Sequence, residues 1–320
     1  MSPLIELDDV RRTFTVRART GRFRRERREV TAVDGLTFSI DAGQCVGYIG
    51  PNGAGKSTTV KMLTGILVPT GGRLRVAGVD PARDRVHLAR RIGVVFGQRT
   101  TLWWDLPLRD SYELARRIYR IPDARYRANL DRCVELLDLG GLLDTPVRQL
   151  SLGQRMRGDL AAALLHDPRV LYLDEPTIGL DVVSKAKVRQ FLREVNTAEG
   201  TTVLLTTHDL TDIEQLCDRV MVIDHGRVVH DGDLDGLHAT GESERTLVVD
   251  LAVPVPPIEV PGARTVKVDG PRQWLAFPTR DSAAPIVAAI AARYPLADLS
   301  VREPAIEDVI ARMYAGASIG

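Results

Sequence analysis

The sequence has few of the features that define disulfide-rich, zinc-binding or membrane-spanning proteins. Its three cysteines, Cys45, Cys133 and Cys217, lie far apart in 320 residues and match no metal-binding spacing. So sparse a set indicates buried thiols in a reducing compartment. No run reaches the roughly 18 apolar residues that a membrane-spanning helix needs. The N-terminus has no apolar stretch typical of a secretion signal, so we expect a protein that is not embedded in a membrane.

A strong overall charge is missing as well. The formal net charge is +1, so no long-range field favours nucleic acid or acidic lipid, and we expect no nucleic-acid partner. An arginine cluster between residues 17 and 28 is the local exception. It is either a solvated hairpin extension or a basic finger for anionic lipid headgroups or a partner protein. The cluster comprises Arg17, Arg19, Arg22, Arg24, Arg25, Arg27 and Arg28.

The alternation of apolar runs and amphipathic stretches predicts an α/β fold. Residues 1–16 and 30–40 alternate as strands do, and residues 44–240 alternate between strand-like and helix-like segments. Segments such as QCVGYIG, VLYLDE and TTVLLTTH are short apolar runs that end in polar residues. Buried parallel strands with functional groups at their carboxyl ends show this pattern. Residues from about 100 to 165 predict a helical subdomain inserted into the sheet.

A change of composition near Gly241 predicts a second, smaller domain. The Pro-rich segment VPVPPIEVPG at residues 253–262 is followed by strand-like TVKV, WLAF and DLSV and by helix-like SAAPIVAAIAARY and AIEDVIARMY. We therefore assign residues 1–240 to one domain and residues 241–320 to a small α+β accessory domain, which is a normal domain size.

Residues 50–58, GPNGAGKST, match the phosphate-binding pattern G-x-x-x-x-G-K-[ST] between an apolar strand and a helix. The glycines let the backbone wrap so that successive N–H groups point at phosphate oxygens. The helix start that follows adds its positive dipole end. Lys56 is expected to bridge the β- and γ-phosphates, and Ser57 to ligate Mg²⁺. By itself this motif predicts only a nucleoside triphosphate site.

Two adjacent carboxylates end the apolar strand in VLYLDEPT, residues 170–177. Adjacent acids can divide the work of a hydrolytic site. Asp174 is expected to hold Mg²⁺ through its water shell, and Glu175 to orient and deprotonate the attacking water. The alternative is a strand end with two solvated acids.

Five motifs in a fixed order make the sequence resemble the nucleotide-binding subunit of an ABC transporter. They are GPNGAGKST at 50–58, Gln98, LSLGQ at 150–154, VLYLDE at 170–175 and His208 in LLTTHD. The resemblance covers residues 4 to about 235 and points to the branch that pairs with separate membrane subunits of type-2 exporters. It implies a P-loop NTPase fold of the ABC ATPase type with a helical subdomain, here followed by the accessory domain.

The resemblance also implies a homodimer or pseudo-symmetric dimer in which each ATP lies between two copies placed head to tail. One copy would bind ATP through the phosphate loop. The other would bind it through a helix start at Ser151, Gly153 and Gln154, for which Ser151 is a good N-cap, and through Asp181. The phosphate-loop residues are Gly50, Pro51, Asn52, Gly53, Ala54, Gly55, Lys56, Ser57 and Thr58.

The resemblance assigns roles to three further residues. Gln98 would contact Mg²⁺ and the attacking water at a hinge, so that Ser57, Gln98 and Asp174 together would hold the metal. His208 would contact the γ-phosphate. Phe14 would stack on adenine, and the alternative is a core phenylalanine in the first strand.

Two positions depart from the family's usual pattern. Leu152 stands in the signature LSLGQ where glycine is usual, and Gly179 precedes Leu180-Asp181 where a small residue-Ala-Leu-Asp run is commoner. We expect the Leu152 side chain to point away from the phosphate and into the helical subdomain.

Trp103 and Trp104 lie side by side just beyond Gln98. In the family this surface receives a coupling helix of the membrane subunit, and large aromatic side chains are efficient anchors in such grooves. We predict that both tryptophans and Leu106 help to form the docking groove. The alternative is that the indoles fill the subdomain core, and we expect at least one of the two to be core.

The sequence therefore predicts an ATPase that binds ATP and Mg²⁺ and powers integral membrane transporter subunits from the inner face of the cell membrane. A drug, lipid or polysaccharide-like substrate is expected from the resemblance. A soluble ABC ATPase acting on ribosomes or nucleic acid is the alternative, but it usually carries two ATPase halves, long coiled coils or zinc modules. A P-loop kinase is disfavoured by LSLGQ and His208.

Overall fold

A computed structural model describes residues 3–19, 25–97, 99–234, 236 and 244–302. The chain forms two compact units, residues 1–231 and 232–320. The structural division thus falls N-terminal to residue 240, where the composition places the domain boundary.

The first unit alternates strands and helices as the sequence predicts. Its strands are β1 (Ile5–Arg19), β2 (Arg25–Ile40), β3 (Cys45–Ile49), β4 (Gly71–Val76), β5 (Ile92–Phe96), β6 (Val170–Asp174), β7 (Thr202–Thr206), β8 (Arg219–Asp224) and β9 (Arg227–Asp233). Its helices are α1 (Lys56–Leu63), α2 (Arg85–Ala89), α3 (Leu108–Tyr119), α4 (Asp123–Leu136), α5 (Leu152–Leu164), α6 (Val182–Glu199) and α7 (Leu210–Leu216).

The central sheet of this unit has the strand order β5-β6-β7-β3-β8-β9. Strands β5, β6, β7, β3 and β8 pair in parallel, and every residue of β3 and β7 is buried, as expected for a sheet covered on both faces. Phe96 pairs with Asp174, and Asp174 pairs with Thr206, so β5, β6 and β7 end in one row. Residues that follow these three strands therefore emerge together at one edge of the sheet.

A second sheet, of strand order β2-β1-β4, is antiparallel. Strands β1 and β2 extend further than the predicted ranges 1–16 and 30–40, because their pairing continues to Arg19 opposite Arg25. Part of the arginine cluster thus belongs to a two-stranded ribbon, as a hairpin extension requires. The cluster members Arg22 and Arg24 lie outside the described residues.

Helices α3, α4 and α5 occupy the region predicted to be helical. The side chains of Met156, Leu160 and Leu164, spaced by four on α5, are buried, and the Tyr112 hydroxyl of α3 donates to the Gly158 carbonyl over 3.1 Å. No helix in the described ranges is long and apolar enough to cross a membrane. The three cysteines are free and buried, as expected.

The second unit contains strands β10 (Glu244–Leu251), β11 (Arg264–Asp269), β12 (Arg272–Pro278) and β13 (Leu296–Arg302) and helix α8 (Ala283–Arg293). The antiparallel sheet has the order β11-β12-β10-β13, and Ile286 and Ile290 of α8 pack in one core with its side chains. The sequence analysis did not identify β10. The predicted helix AIEDVIARMY lies outside the described residues.

His166 ties the end of the helical region to β5. Its Nε2 lies 2.9 Å from the Ile92 carbonyl oxygen, and its ring stacks on Tyr119 with a centroid distance of 4.2 Å. Burial lowers the pKa of His166, and the hydrogen bond with the Ile92 carbonyl and the nearby Asp167 carboxylate oppose this effect only in part.

We expect the free energy of unfolding to fall as the pH drops below about 6.5, because His166 in the unfolded chain then takes up a proton that the folded protein resists. This loss begins at the ordinary histidine pKa and ends below the lowered pKa of the folded state. Urea unfolding at several pH values would measure it. His166→Gln should flatten the acid side of the curve, and the control His87→Gln, on exposed α2, should not. Equal curves for the parent and His166→Gln would contradict the assignment.

Candidate functional site

A cavity of about 680 Å³ opens where the strands of the central sheet end. Its walls come from the loop after β3, from Phe96, Gly97 and Arg99 at the end of β5, from Asp174 and Glu175, and from His208 after β7. The structure thus brings together most of the residues that the sequence predicts for the phosphate and acid motifs. Gln98 lies outside the described residues.

The loop between β3 and α1 has a backbone that only glycine accommodates at two points. Gly55 has φ 105°, and a Cβ there would lie 2.4 Å from the Ala32 carbonyl oxygen. A Cβ at Gly50 would lie 2.4 Å from the Ile223 carbonyl oxygen. The loop is therefore pressed against β2 and β8, which leaves its inner side open to the cavity as a cradle for phosphate.

Lys56, the first residue of α1, is held by the loop that precedes it. Its Nζ donates to the carbonyl oxygens of Gly50, at 2.5 Å, and Pro51, at 3.1 Å. Burial lowers the pKa of Lys56, and the charges of Glu175 and Asp174 oppose that shift. A buried ammonium that is satisfied by two neutral carbonyls can gain a stronger partner in an anionic phosphate oxygen.

Asp174 and Glu175 face the cavity at the end of β6. Asp174 Oδ1 accepts a hydrogen bond of 2.6 Å from the Thr206 hydroxyl on β7, which fixes the orientation of the carboxylate. Glu175 has φ 57°, a left-handed conformation that is uncommon outside glycine, and its N–H donates to the Thr206 carbonyl over 2.9 Å. The turn directs the Glu175 side chain into the cavity rather than along the strand.

Glu175 and His208 are a pair. His208 Nε2 lies 3.3 Å from Glu175 Oε1, and the His208 backbone N–H donates to Oε2 over 3.2 Å. Burial raises the pKa of Glu175, while the His208 contacts lower it. A partly desolvated carboxylate with a raised pKa is a better proton acceptor than an exposed one, as a general base requires.

A buried acid behind the site escaped the sequence analysis. Asp212 of α7 is fully buried and accepts hydrogen bonds from the Thr177 hydroxyl, from Arg189 Nε at 2.5 Å and from the Thr207 hydroxyl at 3.3 Å. Because Thr177 follows Glu175 and Thr207 precedes His208, Asp212 links the two loops that carry the pair. No spacing pattern in the sequence singles out this residue.

The four residues expected to complete the site from a second copy do not line the cavity of their own chain. Ser151 caps α5: its Oγ accepts from the Gln154 N–H over 3.2 Å, and its own N–H donates to Gln154 Oε1 over 2.8 Å. Gly153 lies against α6, where a Cβ would come 2.9 Å from Ser184 Oγ. Asp181 caps α6 by accepting from the Ser184 N–H and hydroxyl, which lowers the pKa of Asp181.

Leu152 does not take the direction expected for it. Its Cδ2 lies 2.8 Å from the position of a Cβ at Gly179, so the side chain is directed at the loop before α6 rather than into the helical subdomain. Gly179 has φ 71° and no side chain, which gives the leucine room. The two departures from the family pattern therefore meet in one contact.

The stacking of Phe14 on adenine stays a prediction. Phe14 lies on β1 with its ring centroid 4.5 Å from the guanidinium carbon of Arg12, and it is not part of the cavity wall. Sequence reasoning missed other residues that are in the wall, namely Ala32, Lys61, Ile66, Phe96, Gly97 and Arg99. Of these, Gly97 and Arg99 are adjacent in sequence to the predicted site residue Gln98.

The expectation that Trp103 or Trp104 is a core residue is wrong. Trp103 is 56% exposed and Trp104 50% exposed, and Leu106 is exposed too. Trp103 borders a second cavity, of about 320 Å³, with Leu102, Ile118 and Tyr119 among its walls. Trp104 lies outside this wall, with its ring 5.6 Å from the Arg155 guanidinium carbon. The loop that carries both indoles packs through Leu102, which is buried, and so leaves the larger side chains on the surface.

Comparisons with known proteins identify the family. A family model described as ABC transporter matches residues 33–178. The daunorubicin resistance ATP-binding protein DrrA3 of Streptomyces coeruleorubidus is 38% identical over 287 residues, which cover 87% of this chain and 89% of the relative. The Nod factor export ATP-binding protein I of Ralstonia nicotianae is 42% identical over 205 residues, which cover 64% of this chain and 63% of the relative.

Solved structures agree. An ATP-binding subunit of an ABC transporter has a TM-score of 0.63 and 28% identity, covering 74% of this chain and 92% of the other. The ATP-binding cassette MJ0796, in a dimeric post-hydrolysis state bound to ADP and Pi, has a TM-score of 0.62 and 26% identity, covering 72% and 98%. The chain belongs to the ABC transporter ATP-binding protein family. It is an ATP-binding, ATP-hydrolysing subunit of the type-2 exporter branch, and its α/β P-loop fold is the predicted one.

We expect Gly55→Ala to abolish ATP binding, because the new Cβ would meet the Ala32 carbonyl at 2.4 Å and the residue would also keep φ 105°. Gly200→Ala, at the end of α6, is the matched control outside the loop: Gly200 has φ 67° but its Cβ would meet no atom within 4 Å, so the change should cost only the backbone strain of about 1–2 kcal/mol in stability. Titration with a fluorescent ATP analogue measures both affinities. Equal losses in the two variants would show that the contact with β2 does not shape the loop.

Proposed function

We propose that this chain is the peripheral ATPase of an exporter and acts on integral membrane subunits at the inner face of the cell membrane. The names of its relatives, which concern daunorubicin resistance and Nod factor export, support a drug, lipid or polysaccharide-like substrate. The observation that carries the proposal is the convergence of Lys56, Asp174, Glu175 and His208 on one cavity beside a glycine cradle. The cavity therefore offers both phosphate-binding and water-activating groups.

ATP would lie with its phosphates in the loop of residues 50–58. The N–H groups of the loop and the start of α1 would bind phosphate oxygens, and Lys56 would move its ammonium from the loop carbonyls to the β- and γ-phosphates. Ser57 and Thr58, which line the cavity beside Lys56, are placed for the same phosphates.

The residues present fit Mg²⁺ as it is held in nucleotide sites. The described residues contain no group of three or more His, Cys, Asp or Glu side chains that could hold a metal alone. Mg²⁺ prefers one or two protein oxygens together with phosphates and water, and Ser57, Asp174 and Gln98 would supply the protein share. When bound, it neutralises charge on the phosphate oxygens.

Glu175 would orient the attacking water and accept its proton. Its carboxylate is oriented by the strained turn at the end of β6 and by the two contacts with His208. His208, which is more exposed than Glu175, would turn towards the γ-phosphate and hold it during attack.

A second copy would close the site. The capping box of α5 uses the N–H groups of Ser151 and Gln154, which leaves those of Leu152 and Gly153 at the helix start for an anion. The γ-phosphate would then be shared by two chains, so that binding favours the closed dimer and hydrolysis releases it. The dimeric state of MJ0796 bound to ADP and Pi supports this arrangement.

Glu175→Gln should keep ATP binding but lower the rate of hydrolysis by about 10²–10⁴-fold, because the proton acceptor is lost. With Mg·ATP, this variant should form a stable dimer, which size-exclusion chromatography with light scattering detects. Lys56→Ala should weaken nucleotide binding and prevent the dimer. A Glu175→Gln protein that hydrolyses ATP at the parental rate would show that another group is the base.

We further propose that the surface around Trp103, Trp104 and Leu106 receives the membrane subunit. All three side chains are exposed, and Trp103 adjoins the apolar second cavity, so the patch offers aromatic anchors beside a groove. The loop follows directly on the segment after β5, which leads from the ATP cavity. A partner helix docked there would therefore be displaced when this segment moves in response to ATP binding or hydrolysis.

Replacing both tryptophans by Ala should greatly reduce co-purification with the membrane subunit while leaving ATP affinity unchanged. Val86→Ala, an exposed apolar residue on α2, is the control and should retain the subunit. Affinity capture from membranes that contain both subunits, followed by quantification of the membrane subunit, measures the effect. Undiminished capture by the double variant would defeat the assignment of this surface.

A further inference from the structure

The segment after β5 is tied to β6 at Gly97. The Gly97 N–H donates to the Asp174 carbonyl over 2.6 Å, and a Cβ at Gly97 would lie only 2.1 Å from the Glu175 carbonyl oxygen. Gly97 therefore packs directly against the acidic end of β6. It belongs to the part of the molecule that carries the phosphate loop and the two carboxylates.

Three residues further on, the same segment is tied to helix α5 instead. Asp159 Oδ1 accepts three hydrogen bonds: from the Thr100 hydroxyl at 3.0 Å, from the Thr101 N–H at 2.8 Å and from the Thr101 hydroxyl at 3.1 Å. Asp159 is 5% exposed. Loss of this buried acceptor would remove three hydrogen bonds at once, from the partly buried Thr100 and the exposed Thr101, so the contact is costly to break.

Between Gly97 and Thr100, the segment changes from contacts with the end of β6 to contacts with α5. Only Gln98 and Arg99 lie between them, and the Arg99 N–H donates to the Phe96 carbonyl over 3.0 Å, which closes a turn. We propose that Asp159 is a positioning residue that makes the segment from Thr100 onward move with α5, so that bending is confined to the chain N-terminal to Thr100.

The proposal rests on the proposed function, in which the start of α5 binds ATP across the dimer. Asp159 lies two turns further along that helix, so rotation of the helix would carry Thr100 and Thr101 with it. Because Gly97 packs against the end of β6, the rotation would be converted into a changed position of Arg99, which lines the cavity. Without Asp159, α5 could rotate and leave the segment behind.

The test compares Asp159→Ala with Asn129→Ala. Asn129 forms a comparable buried tie at the other end of α5, where its Nδ2 donates to the Leu165 carbonyl over 3.0 Å and to Asp167 Oδ1 over 2.7 Å, away from the segment. Both variants should lower the melting temperature. We expect only Asp159→Ala to lower kcat, by at least about tenfold, with the affinity for a fluorescent ATP analogue unchanged. Asp159→Asn, which keeps an acceptor oxygen, should restore part of kcat.

Thr101→Val gives a second measurement that does not disturb the helix. It removes one hydroxyl donor at nearly constant volume, and its effect on kcat should be smaller than that of Asp159→Ala and not additive with it. Hydrogen exchange of the Thr101 amide should be faster in Asp159→Ala and unchanged in Asn129→Ala.

Two outcomes separate the failures. If the Glu175→Gln variant does not dimerise with ATP, the proposed function is wrong. In that case hydrogen exchange still tests the contact itself: an unchanged exchange rate of the Thr101 amide in Asp159→Ala would refute it. If the Glu175→Gln variant dimerises but Asp159→Ala and Asn129→Ala have the same kcat, the hydrogen bonds of Asp159 only stabilise the fold, and the positioning role is overturned.

Discussion

The hydrogen-bond register of β5, β6 and β7 is the constraint on which the site depends. Because Phe96, Asp174 and Thr206 stand in one row, the residues that follow them reach the same edge of the sheet. A shift of β6 by one residue would turn Asp174 to the opposite face and remove its contact with Thr206. The buried apolar residues on both faces of these strands stabilise this register. The packing of the core therefore determines which side chains reach the cavity at the edge of the sheet.

The charges at that edge are arranged for a ligand. Lys56 is partly desolvated and donates to two neutral carbonyls, while Glu175 is partly buried beside Asp174 and His208. Each charge is costly to bury, and a nucleotide with Mg²⁺ would compensate them together. Four of the residues expected to contact ATP lie away from this cavity, namely Ser151, Gly153, Gln154 and Asp181, so one chain offers an incomplete enclosure.

Sequence motifs predict the parts of the site that are built from contiguous residues. The loop of residues 50–58 and the pair Asp174-Glu175 are local, and their position after apolar strands is enough to place them. Asp159 and Asp212 were missed because most of their partners lie more than 20 residues away and only folding brings them together. The exposure of Trp103 and Trp104 was misjudged for a related reason: Leu102 fills the core position that an indole was expected to fill, and composition cannot show which neighbour does so.

The contact between Leu152 and Gly179 makes the side chain that fits at one position depend on the residue at the other. Each departs from the common pattern of the family. The Leu152 side chain occupies the space that a side chain at position 179 would need. A chimera that imports a glycine at 152 alone would leave a gap next to the loop, and one that imports a bulkier residue at 179 alone would crowd the leucine.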